Sequence, residues 1–222
     1  MAKGLFTQGM CVLLSGPVTA EQVRDRLDSA FSCLGAQDVS SEPDSPTTLV
    51  YDFRGEIGGH LLVTLSDSAW PDDLGDPDET PERFIGWSLG QFGPLAYPGC
   101  LDRAAKQSPL EEQPDVAIEH RAHVRLLISY VLGVETEDDD GDDTEEMPLI
   151  PDDYDAIEEL QFLTKAVTQL LEMPEALCYF NPGGEVLRDE NGLRRGLNQA
   201  WIHELPPLDM WTNVRIFSED ED

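Results

Sequence analysis

The sequence predicts an α+β protein, a mainly antiparallel sheet with helices on one face, and its element order admits two side-by-side β-α-β-β units. Three observations carry this. Short apolar runs bounded by glycine and proline read as strands, two stretches with helical spacing of apolar residues read as amphipathic helices, and glycine-rich connections join neighbouring strands as hairpins. The order strand, helix, hairpin occurs in residues 9–67 and again in 118–187, without residue identity between the two. The 222 residues therefore read as a single domain over 1–222, with pseudo-repeat halves, an acidic loop at 135–146 and an acidic tail at 218–222. A chain of this size buries roughly 70% of its unfolded surface, enough for one substantial core.

The elements follow in order. Residues 10–15, Met-Cys-Val-Leu-Leu-Ser, form a strand that ends at the turn signal Gly16-Pro17. Its apolar run is short and preceded by Thr7, Gln8 and Gly9, which argues against the hydrophobic segment of a signal peptide. Thr19 opens a helix as the first member of a capping box with Gln22. Val23, Leu27, Ala30, Phe31 and Leu34 share one face of it, and Gly35 stops it. Strands over 49–54 and 60–65 flank Gly55-Glu-Ile-Gly-Gly59, a hairpin. Thr80-Pro81 starts a second helix whose apolar run is interrupted by Gly86 and Gly90. Residues 93–99, with two prolines and two glycines, must be a loop, and 101–107 form a short helix beyond it.

In the second half, residues 121–131 are a strand. Tyr154, Ile157, Leu160, Leu163, Val167, Leu170 and Leu171 make a continuous stripe along a helix over 154–172. Residues 176–180 and 185–187 flank Asn181-Pro-Gly-Gly184 as another hairpin. Alternation after Leu205-Pro-Pro207 predicts a final strand over 211–217.

Charge narrows the function. The chain carries 45 acidic and 14 basic residues, a formal net of −31. Residues 72–82 hold six carboxylates, 135–146 hold nine and 219–222 hold four, which leaves the rest of the chain at −12. Such a surface repels phosphate backbones and anionic lipid, so no nucleic acid and no membrane is expected as a partner. A basic protein partner is favoured, and the other reading of the acidity is solubility alone. Cys11, Cys33, Cys100 and Cys178 stand far apart in apolar or small-residue contexts, which fits free thiols and a cytoplasmic location. No run approaches the ~20 apolar residues of a membrane-spanning helix.

No phosphate-binding glycine loop, nucleophile elbow or zinc-protease motif is present, so no cofactor and no catalytic residue is assigned. Placing Gly141 at the sixth position of a calcium loop leaves Thr136 first and Met147 twelfth, so two essential oxygen ligands are missing. His120 and His123 are three apart on a strand and point to opposite faces, which denies them a shared metal. Partner binding is placed instead on Glu137, Asp138, Asp139, Asp140, Asp142 and Asp143 as an electrostatic docking arm. Phe92 and Tyr97 join them, on a stiff aromatic loop that reads equally as a packed connection over the core. An enzyme alternative requires a water-excluding cleft near Tyr97, Cys100 and His120.

The stretches His120-Arg-Ala-His-Val-Arg, Phe162-Leu-Thr-Lys165, residues 176–187 (Ala-Leu-Cys-Tyr-Phe-Asn-Pro-Gly-Gly-Glu-Val-Leu) and residues 208–217 (Leu-Asp-Met-Trp-Thr-Asn-Val-Arg-Ile-Phe) resemble an uncharacterised bacterial family, domain of unknown function 4261. Residues 92–104 fit it too, and the resemblance spans about 9–217. It brings no catalytic residues. Some small acidic bacterial proteins of this kind look like immunity proteins that neutralise secreted toxins. The expectation is thus a non-enzymatic acidic protein-binding module, an immunity or antitoxin-type inhibitor of a basic partner. An enzyme of unknown reaction and a structural housekeeping domain are the other two readings.

Overall fold

Burial along β1 (Gln8–Leu14) alternates between two cores rather than between core and solvent: Met10, Val12 and Leu14 enter one, Cys11 and Leu13 the other. A strand apolar on both faces belongs in the middle of a covered sheet, and the computed structural model, which describes residues 5–37, 46–107, 110, 115, 119–131 and 150–213, places it there. The sheet also contains β2 (Cys33–Gln37), β3 (Thr48–Asp52), β4 (His60–Ser66), β5 (Ala122–Ser129), β6 (Ala176–Asn181) and β7 (Val186–Arg188). Its seven strands run β2-β3-β4-β5-β1-β6-β7, and every neighbouring pair is antiparallel. The expected α+β class with an antiparallel sheet is what the chain adopts.

The two halves are interleaved, not side by side. β1 lies against β6 of the second hairpin, and β5 lies against β4 of the first, so the leading strands of the halves have changed places. β1 and β5 then pair along their full length, from Gln8↔Ile128 to Leu14↔Ala122. β1 is apolar on two faces and β5 is buried along most of its length, with His123 and Arg125 on its second face, which suits the central pair of positions.

Helices cover both faces, which corrects the one-sided expectation. On the first face, α1 (Ala20–Leu27) and the long α4 (Ala156–Leu170) supply Val23, Leu27, Leu163, Val167 and Leu170 to the core. On the second face, α2 (Pro81–Ser88) and α3 (Cys100–Gln107) deliver Trp87, Cys100, Leu101 and Ala104 against Cys11, Leu13, Cys178 and Phe180. Trp70 is the hub of that layer, edge-on to Phe180, His123, Phe92 and Trp87 at centroid distances of 5.1–6.1 Å. The apolar second face of β1 and β6 makes such a cover necessary.

The capping box forms as expected: Thr19 Oγ1 accepts from Gln22 N at 3.2 Å, and Gln22 Oε1 accepts from Thr19 N at 2.8 Å. α1 nevertheless stops at Leu27 rather than running to Leu34. Residues from Cys33 pair with β3 as the sheet edge, with an irregularity at Gly35, whose φ of 151° suits glycine. Phe31 stays buried by turning onto Phe162, 5.0 Å away. The strand expected over 211–217 is corrected in part. Trp211 ends the short α6 (Leu208–Trp211), which starts on the turn made by Pro206 and Pro207, and residues 214–217 lie outside the described residues. The remaining helix, α5 (Glu190–Ile202), starts at Asp189, whose side chain accepts from Gly192 N.

Candidate functional site

α5 has little apolar content on its inner face. Leu193 is its buried anchor, Leu197 packs against the first core, and Gly196 lets it lie directly on Met210. A Cβ at Gly196 would stand 2.5 Å from Met210 Sδ. The apolar residues at the C-terminal end of α5 therefore have no core to enter. Trp201 is 80% exposed, and Ile202, Leu205 and Leu208 beyond it are exposed as well.

The platform beneath them is rigid. Trp211 is buried and donates from Nε1 to Thr164 Oγ1 of α4 at 2.8 Å. Tyr179 Oη donates to Met210 O and Asn181 Nδ2 to Trp211 O, both at 2.8 Å, so β6 straps α6 to the sheet. Asn213 N reaches Gly184 O at 3.0 Å. Between α4 and α5 this leaves a groove of about 420 Å³ walled by Lys165, Thr168, Leu197, Trp201, Leu205 and Trp211. A second hollow of about 200 Å³ lies on the other side of Trp211, between Leu95, Leu160 and Leu208. Glu204 and Asp209 are exposed among these apolar residues. The surface thus presents aromatic and aliphatic side chains with carboxylates beside them.

The residues singled out in the sequence fare differently. Phe92 is 9% exposed, its ring 4.6 Å from Trp87 and beneath the Arg125 guanidinium, so it is core and is not presented to a partner. Tyr97, on the same loop, is 53% exposed. Glu137, Asp138, Asp139, Asp140, Asp142 and Asp143 lie outside the described residues. Of the first acidic run, Asp72 caps α3 by accepting from Leu101 N and Asp102 N, and Asp73 binds Arg83 at 2.7 Å, an ion pair that holds its carboxyl below the usual range.

Tyr97, Cys100 and His120 do not converge on an open cleft. Cys100 and His120 are buried while Tyr97 faces solvent. Burial, with the Asp72 carboxylate nearby, pushes the Cys100 thiol up to about 12, so no thiolate forms near neutral pH. His120 Nε2 accepts from Trp70 N at 2.8 Å. His123 Nδ1 donates to Ser68 O at 2.9 Å, and burial together with the Arg125 cation holds its pKa down to about 3. Both histidines fasten the 67–70 segment to the sheet. Among the described residues no group of three His, Cys, Asp or Glu side chains gathers as for a metal ion.

One buried acid escaped the sequence reading. Glu159, on α4, is 0% exposed; Thr7 Oγ1 donates to its Oε1 at 2.8 Å and the Tyr130 phenol lies against it. Burial raises its pKa. The pair ties the start of β1 and the end of β5 to α4. Its position beside Leu160, on the edge of the apolar stripe, was the only signal in the sequence, and 45 acidic residues hide it.

Set beside known proteins, the chain matches no family model, no curated protein and no solved structure.

Proposed function

We propose that this chain is an acidic protein-binding module, of the immunity or antitoxin-inhibitor type, that receives an apolar segment flanked by Lys and Arg from a basic partner on the α5–α6 surface. The observation that carries the reading is Trp201, a large aromatic 80% exposed at the lip of a groove and held on a rigid platform. Tryptophan is among the residues most enriched at binding hot spots. The carboxylates of Glu204 and Asp209 supply local charge complementarity, and the net charge of −31 steers a cationic partner from a distance.

Affinity capture from native lysate tests this with wild-type protein and Trp201→Ala, each at about 50 mM and about 500 mM salt. The expected result is a basic protein retained by the wild type at low salt, weakened at high salt and lost from the variant. Retention of no basic protein, or of one indifferent to both salt and Trp201, rules the reading out. So does a concentration-dependent dimer in sedimentation that Trp201→Ala abolishes, since the surface would then serve a second copy of the chain.

A further inference from the structure

We infer that Glu204 is the residue that selects for charge on the α5–α6 surface, an inference that rests on that surface being the partner site. Its carboxylate meets the Lys or Arg beside the apolar side chain that enters the groove, and it is kept there at the expense of the chain's own stability. α5 ends in a turn that folds the chain back on itself. Leu205 N donates to Ala200 O at 3.0 Å and Glu204 N to Trp201 O at 3.1 Å, the paired hydrogen bonds of a Schellman motif. The turn returns Leu205 to the groove wall, where Ala200 and Trp201 also stand, and leaves Glu204 between the two groove residues Trp201 and Leu205 in the chain.

The position asks for glycine. Glu204 has a φ of 53°, in the left-handed region where a Cβ crowds the following carbonyl. It also sets a negative charge at the C-terminal end of a 13-residue helix, the end that disfavours carboxylates. Local preference opposes Glu204 twice, and nothing inside the fold explains it. Among the described residues three that are not glycine have a positive φ, and the other two are engaged within the chain. Arg54 donates to Asp153 O at 2.7 Å and pairs with Glu158, while Glu185 accepts from Arg103 at 2.8 Å. Glu204 is exposed, and among the described residues its carboxylate has no hydrogen bond or ion pair. A strained side chain without a duty in the fold, at the lip of a groove, points to a partner group outside it. The groove is lined by no carboxylate and its one charged residue is Lys165, so an apolar side chain enters while its cationic neighbour stays at the lip, beside Glu204.

The test titrates the full chain by NMR with three peptides, acetyl-Leu-Arg-amide, acetyl-Leu-Gln-amide and acetyl-Leu-Glu-amide, at low salt. Wild type should bind the Arg peptide about threefold more tightly than the Gln peptide, the scale of an exposed ion pair, and the Glu peptide most weakly. Glu204→Gln and Glu204→Gly should bind all three alike, and Trp201→Ala should weaken all three. Thermal unfolding supplies the second readout. Glu204→Gly should melt about 2 °C above wild type, because glycine adopts the left-handed turn without strain. The inference alone is overturned when the peptides bind through Trp201 but wild type does not rank them by charge, when the ranking survives in both Glu204 variants, or when Glu204→Gly melts at or below wild type. Binding of none of the peptides, or binding indifferent to Trp201, overturns the reading of the surface along with it.

Discussion

At the scale of single residues, the buried acid Glu159 makes stability depend on pH. Its folded-state pKa is raised by burial, so the folded chain holds that proton more tightly than the unfolded chain does. Its contribution is therefore fully present below the unfolded carboxylate value and is lost as pH rises through the raised folded value. Near neutral pH the charged form is a net cost. Glu159→Gln keeps an acceptor for Thr7 and removes the charge, and should gain about 1–2 kcal/mol at pH 7.5 with a smaller gain at pH 5. Urea unfolding of both proteins at the two pH values checks this, and an equal gain at both would show that the charge is not the cause. The sequence could not rank Glu159 above its neighbours, because burial of one carboxylate depends on the Thr7 and Tyr130 side chains, which come from distant strands. The histidines were misread for a similar reason. Their expected placement on opposite faces of one strand is corrected: His120 lies before β5, and both rings meet the same segment, at Trp70 and Ser68.

At the scale of elements, local signals carried most of the reading and non-local ones were missed. The Thr19–Gln22 capping box is complete within four residues, and it formed. Thr19→Ala should cost about 1 kcal/mol, measured by urea unfolding. α5 was invisible because Gly192 and Gly196 dilute its periodicity. Gly196 is there for contact with Met210, not for local preference. The Trp201 surface depends on the same strapping, at whose other end stands Gly184. A Cβ at Gly184 would run into the backbone carbonyl of Trp211, which cannot turn aside as a side chain can. Gly184→Ala should therefore destabilise by about 2–4 kcal/mol and shift the tryptophan emission to the red as Trp211 loosens. Unchanged stability and emission would mean that α6 is not fastened there.

For the molecule as a whole, the sheet class was readable from runs of apolar residues and glycine turns, while its strand order was not. The exchange of β1 and β5 is decided by pairings such as Cys11↔Phe180, which no window of sequence contains. The cover on the second face was missed for a related reason: Trp70 and Phe92 lie in irregular segments whose packing follows no period. The net charge of −31 acts at this scale too. Self-repulsion is screened by salt, so the midpoint of thermal unfolding at pH 8 should rise between about 10 mM and about 500 mM sodium chloride. The rise should shrink at pH 5, where part of the carboxylates gain protons. A midpoint independent of salt at pH 8 would place the charges too far apart to matter.

The exchanged strands also set a timetable for folding. β1 leaves the ribosome early, yet both of its sheet neighbours, β5 and β6, are synthesised far downstream. Until Phe180 has emerged, the most apolar strand of the protein has at least one open edge and cannot complete a half-sheet of its own. Pairings at such separation form slowly. The nascent chain thus carries β1 without its full set of partners until β6 has been synthesised.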